Sequence, residues 1–247
     1  ALVALGIGYR LGPAAATRPK RLAPLAAALA LPVILLTGAS YGTTWWREQA
    51  ALARDSPPAT VRSVILVVLD VARAADMSGH GFETPTTPFL EQLASGGVRF
   101  DRAIAPSSWT TPTHATLLTG QWPHELGIDW DHGLDPGERT IGSALASAGY
   151  ATGGFVANQF NAGREKGIDN GFQRFEDART GLAEFLHSTA LIRTLDPMHR
   201  LIGFWGTEPH PTRKQARHVT RPFLRWVESL DGRPFFALLN YYEAHHP

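Results

Sequence analysis

Ser63-Val64-Ile65-Leu66-Val67-Val68-Leu69-Asp70 is the stretch on which the fold turns. Its apolar, largely β-branched residues run on without alternation. That pattern predicts a strand of a parallel sheet, buried on both faces. Asp70 closes the run, where a carboxylate is costly unless it is hydrogen-bonded or bound to a metal. From position alone, a metal ligand and an N-cap for a following helix fit Asp70 equally well.

Working outward, Thr87-Pro88 opens a helix with an N-cap and a proline in its first turn. Phe89, Leu90, Leu93 and Ala94 give that helix an apolar face, and Gly96-Gly97 ends it. Val98–Phe100 reads as a short strand and Thr113–Leu118 as helical. Thr140–Ala148 reads as a helix closed by Gly149, and Tyr150–Val156 as a strand. Residues 210–230 predict a long helix carrying Phe223, Leu224, Trp226, Val227 and Leu230, and residues 235–240 a last strand. Strands alternating with helices specify an α/β domain with a mostly parallel sheet sandwiched by helices.

The composition agrees. Of 247 residues 44% are hydrophobic and 18% charged, which excludes a largely disordered chain. A net charge of +1 gives no bulk field toward nucleic acid. There is no cysteine, hence no disulfide, thiolate metal site or cysteine nucleophile.

Ahead of this domain lie 25 uncharged residues, 22–46, between Arg21 and Arg47. They are long enough for a transmembrane helix, preceded by Arg10, Arg18, Lys20 and Arg21 and followed by Trp45 and Trp46. The basic side is expected to be cytoplasmic and the indoles interfacial. A cleaved signal peptide, with Gly38-Ala39-Ser40 near the cleavage point, is the other reading. Residues 1–21 read as the end of a preceding apolar span and a basic cytoplasmic loop, 47–61 as a polar linker, and 62–247 as the α/β domain. Both ends read as cut, so the domain is expected to be an N-terminal part. The bilayer is then one partner and the location an integral membrane one, with the α/β domain extracytoplasmic.

Ligands of open α/β sheets bind beyond the carboxyl ends of the strands. Three polar clusters fall there: Asp70; Ser107–His114; and Glu243, His245 and His246. Thr110 and Thr111 sit beside the N–H groups that open a helix, where a phosphate or sulfate is favoured. Simple capping by either hydroxyl fits as well. His114 could ligate, donate a hydrogen bond or pack. Asn158 and Asn161 follow a predicted strand end and suit either substrate contact or loop capping.

Taken together, these segments resemble the N-terminal part of the sulfatase branch of the alkaline phosphatase superfamily. The resemblance rests on residues 63–70, Thr86-Thr87-Pro88-Phe89-Leu90, Gly97-Val98-Arg99-Phe100 and Thr110-x-Pro112-Thr113-His114-x-x-x-Leu118-Thr119-Gly120. It continues through Pro123-His124-Glu125-Leu126-Gly127, residues 145–150, Pro234-Phe235-Phe236 and Glu243-Ala244-His245-His246-Pro247. It implies hydrolysis or transfer of sulfate or phosphate esters with a divalent metal ion (Ca, Mn, Mg or Zn). The substrate would be a sulfated or phosphorylated small molecule, glycan or lipid. Asp70 takes the place of a metal ligand. Thr110 stands where formylglycine sulfatases carry Cys or Ser, and His114 where they carry Arg, which favours a threonine nucleophile touching the metal. His114 and His245 would donate to the ester oxygens. Val71 stands where many sulfatases have a second Asp. The family completes its metal site with an Asp-His or Asp-Asn pair well C-terminal of these motifs, so the chain as given is expected to be inactive alone. Two other readings are a membrane transferase of phosphoethanolamine or phosphoglycerol headgroups and a catalytically dead scaffold.

Overall fold

The computed structural model describes residues 42–46, 48–58, 60–177 and 214–245, with positions 31, 35, 38 and 39. Four strands form one sheet: β1 (Val64–Leu69), β2 (Ala151–Val156), β3 (Arg174–Glu176) and β4 (Phe235–Tyr241). Their order is β1-β4-β2-β3 and every pair is parallel. Val64 pairs with Phe236 and Ala151 with Phe235, so β2 and β4 are central.

Around the sheet lie α1 (Pro88–Ser95), α2 (Thr110–Thr119), α3 (Pro123–Leu126), α4 (Ile141–Ser147), α5 (Gln159–Ala162) and α6 (Arg217–Ser229). Alternation along the central strands divides the core. Ala151, Phe155, Ala237 and Leu239 pack with Val219, Phe223 and Trp226 of α6. Val156 and Leu238 point the other way and pack with Leu118 of α2, Ile168 and Phe175. These are the two faces of a pleated sheet, each covered by a helix.

Three sequence expectations are corrected. β1 is not buried on both faces: Val64, Ile65, Val67 and Leu69 are 40–51% exposed. β1 is an edge strand, paired among the described residues only with β4, and strand sequence carries no information about what covers it. Val98–Phe100 forms no strand, and Val98 and Phe100 are exposed. The helix expected from Thr113 begins at Thr110. Strand β3 went unforeseen because three residues carry too little pattern. The 210–230 helix is Arg217–Ser229 among the described residues, and positions 210–213 lie outside them.

Residues 48–58, expected as a polar linker, lie against the domain. The described residues 48–52 are helical. Glu48 is buried, accepts the Trp226 indole N–H at 3.0 Å and faces the Arg174 guanidinium at 3.6 Å. Arg233 donates to the carbonyls of Leu52, Asp55 and Gly149. Gly149 itself has φ +89, and a Cβ there would stand 2.6 Å from the Asp55 carbonyl oxygen. Arg233→Ala should cost about 1–3 kcal/mol and open residues 53–58 to protease, read by melting and limited proteolysis together. Most of the expected transmembrane segment 22–46, and all of 1–21, lies outside the described residues. Among the described residues no helix is long and apolar enough to cross a membrane.

Candidate active site

β1 ends by pairing once more: the Asp70 N–H donates to the Tyr241 carbonyl at 2.9 Å. The next residue, Val71, has φ +61, a conformation costly for a β-branched side chain. The chain therefore turns sharply off the sheet just after the carboxylate. No helix starts there, and the first helical turn after it, Ala74–Asp76, is flanked by Arg73. Asp70 is thus not a helix cap. It is 7% exposed and its two oxygens are held separately. Oδ1 accepts the Thr110 hydroxyl at 3.3 Å, and Oδ2 accepts the Asn158 side-chain amide at 2.7 Å.

Thr110 opens α2. The residue before it, Trp109, is extended and supplies no side-chain cap. Neither threonine hydroxyl caps the helix. That of Thr110 faces Asp70, and that of Thr111 donates to the Asn161 carbonyl at 2.7 Å, tying α2 to α5. Gly120, at φ +74, ends the helix with its N–H on the Thr116 carbonyl.

His114, one turn along α2, is 2% exposed. Its Nδ1 lies 2.9 Å from the Thr110 carbonyl oxygen and its Nε2 3.4 Å from the Asn240 side-chain nitrogen. Burial pushes its pKa below 6.5, against the pull of the Thr110 carbonyl and the Asp70 charge. The unfolded chain therefore binds this proton more readily than the folded one. The stability His114 gives is complete above its unfolded value and is lost as pH falls below it. Melts of wild type and His114→Gln between about pH 8 and about pH 5 should converge toward the acid end.

His245 lies in the turn after β4. Its ring stacks on Tyr242, 4.4 Å between centroids and 12° between planes, and its N–H donates to the Tyr242 carbonyl at 2.8 Å. Glu243 is drawn to α6, where it accepts the Ala216 N–H. His246 lies outside the described residues.

Two asparagines complete the group. Asn158 accepts the Asn161 N–H at 3.2 Å, capping α5, while its amide nitrogen serves Asp70. The capping role was legible in the sequence; the hold on Asp70 was not. Asn240 was missed altogether. A polar residue ending the apolar run of β4 was the available signal. It is fully buried and accepts the Asn158 N–H at 3.1 Å.

Calcium and magnesium take about six or more oxygen ligands and zinc about four ligands. Asp70 and Thr110 offer one carboxylate and one hydroxyl. Among the described residues no three His, Cys, Asp or Glu side chains are grouped to hold a metal ion. The described residues alone do not make such a site, although sulfatase-family enzymes generally use a divalent metal. A separate cleft of about 650 Å³ is lined by Ser78, Thr87, Glu91 and Arg99 among others, and none of Asp70, Thr110 or His114 reaches it.

The helix-flanked parallel sheet matches the α/β fold of solved structures. The phosphonate monoester hydrolase of Agrobacterium radiobacter superposes with a TM-score of 0.54 at 22% identity, covering 76% of this chain and 42% of that one. Ps i-CgsB superposes with a TM-score of 0.51 at 20% identity, covering 75% of this chain and 46% of that one. The sulfatase family model matches residues 62–247, and the chain belongs to that family. Arylsulfatase A of Bos taurus is 36% identical over 122 residues, 46% of this chain and 23% of the relative. Arylsulfatase A of Homo sapiens is 37% identical over 111 residues, 42% and 21%. N-acetylgalactosamine-6-O-sulfatase of Bacteroides thetaiotaomicron is 33% identical over 100 residues, 37% and 19%. The match spans about a fifth of the length of these relatives.

Proposed function

We propose that the protein containing this chain hydrolyses sulfate or phosphate esters through the hydroxyl of Thr110. The observation that carries this is the Thr110 hydroxyl directed at Asp70 Oδ1, 3.3 Å away, at the start of a helix. The helix N–H groups favour an anionic ester in front of the hydroxyl. Thr110 Oγ1 forms a bond to sulfur or phosphorus as its proton passes to Asp70, and the ester bond to the alcohol oxygen breaks. The departing alkoxide takes a proton from a donor at the site, for which His245 is the candidate. Water, giving a proton back to His245, then attacks the threonyl ester, and the proton held by Asp70 returns to the departing Thr110 oxygen, releasing inorganic sulfate or phosphate. His114 does not touch the ester in this scheme.

The ion that the family generally uses would polarise an ester oxygen. Asp70 and Thr110 are the residues of this chain that would face it, and the remaining ligands would come from elsewhere in the protein. Membrane anchoring by residues 22–46, with the domain outside the cytoplasm, belongs to the same proposal. It is supported by the basic 10–21 segment and by the Trp45-Trp46 pair, whose side chains are exposed. Sulfated glycans are a natural first set of substrates, since one relative is named for a sulfated N-acetylgalactosamine.

The test is turnover of p-nitrophenyl sulfate and p-nitrophenyl phosphate by the full-length protein, with acid quench and peptide mass spectrometry. Free sulfate or phosphate without an added acceptor, and a sulfo- or phospho-threonine at 110, is the expected outcome. Product formed only when an acceptor alcohol is supplied would make the protein a transferase. Absence of both turnover and adduct would leave a scaffold.

A further inference from the structure

Asn240 lies in register between Val68 of β1 and Val156 of β2, with no exposed surface. An amide in that position is costly unless both of its ends are bonded. Its oxygen accepts the backbone N–H of Asn158, a group that can only donate. The other end is therefore the NH₂ group, which faces His114 Nε2. A ring nitrogen facing a donor must present its lone pair, so the proton of this neutral imidazole sits on Nδ1. Nδ1 in turn faces the Thr110 carbonyl, which can only accept. The direction of every bond is thus set by a backbone group at each end.

The same logic closes the circuit on the other side. Asn158 Oδ1 accepts the Asn161 N–H, so its NH₂ group is the end that serves Asp70 Oδ2. Asp70 Oδ1 then receives the Thr110 hydroxyl. Five side chains from the end of β1, α2, the β2–α5 turn and β4 form one closed ring, completed by the Asn158 backbone N–H, with Thr110 gripped twice, by carbonyl and by hydroxyl.

We infer that Asn240 is a positioning residue for Thr110, acting through the tautomer of His114. Asn240 holds His114 in the Nδ1–H form. That form grips the Thr110 carbonyl and keeps the first turn of α2 where the hydroxyl meets Asp70. The inference rests on the reading of Thr110 as the attacking group, but the state of the ring can be measured apart from it.

The experiment uses the full-length protein labelled with ¹⁵N-histidine, with the His114 ring assigned by its disappearance in His114→Gln. Two-bond ¹H–¹⁵N correlations should show a single neutral tautomer, protonated at Nδ1. Asn240→Asp replaces the NH₂ group by an acceptor and keeps the shape; both ring nitrogens then face acceptors, so the ring should take up a second proton, on Nε2, and turn its strongest bond toward the new carboxylate, loosening its grip on Thr110. With p-nitrophenyl sulfate or phosphate as probe, kcat should fall on the order of 10²-fold with KM little changed, as for a misplaced reacting group. Wild-type His114 protonated at Nε2 would overturn the inference, and this measurement does not depend on Asn240→Asp folding. So would an Asn240→Asp ring still bare at Nε2, or a proton gained at Nε2 with kcat unaltered. If the wild type cleaves neither ester, the hydrolase reading fails, and the positioning of an attacking Thr110 fails with it. The tautomer then still reports whether the ring of bonds exists.

Discussion

Thr110→Ala in the full-length protein should lower turnover of p-nitrophenyl sulfate or phosphate on the order of 10⁴-fold or more, as loss of a covalent nucleophile does. The fold should survive. The hydroxyl makes one 3.3 Å bond, to Asp70, and the helix it opens takes no side-chain cap from it. A bond of that kind is worth about 1 kcal/mol, well inside the margin of a folded domain. Thr110→Ser restores a hydroxyl at the same place and should recover a measurable part of the rate. Activity and melting temperature read on one preparation separate the two effects. Near wild-type turnover by a folded Thr110→Ala protein would remove threonine from the chemistry.

The second large effect is expected at Asp70. Asp70→Asn keeps the shape but leaves one oxygen to serve two donors. The Asn158 amide and the Thr110 hydroxyl both now donate to Asp70. In the variant the oxygen stays with one of them, and the new NH₂ group meets the other. Either way the hydroxyl loses a charged acceptor for its proton. A rate loss of about 10²–10⁴-fold is expected, the range for a displaced proton acceptor. Turnover of the variant should not recover at higher pH, because an amide does not ionise there. Recovery would show that Asp70 is not the acceptor.

Much of this arrangement could be read before any coordinates. An apolar β-branched run closed by an aspartate announces both a strand and its carboxyl end, and a Thr-Thr-Pro helix start announces a second loop at the same edge. That Asp70 and Thr110 share an edge follows from parallel topology. That they touch does not, since it depends on how α2 lies on Leu238 and Val156. The role of His114 was illegible for a different reason. Histidine reads the same whether it faces substrate or the interior, and only the amide of Asn240, 126 residues away in sequence, shows which. Val98 and Phe100 show the limit from the other side. Their β propensity is plain, but a strand exists only where an edge is there to pair with it.

Glu48 and Arg233 bear on where the folded unit begins. Family resemblance starts at residue 62, and a gene cut there would look natural. It would remove the wall behind Trp226. The indole N–H would lose its acceptor, Arg174 one of its two carboxylate partners, and Arg233 the two carbonyls contributed by Leu52 and Asp55. Leu52 would also be stripped from the apolar surface it covers. A clone that starts at residue 48 or earlier keeps these partners.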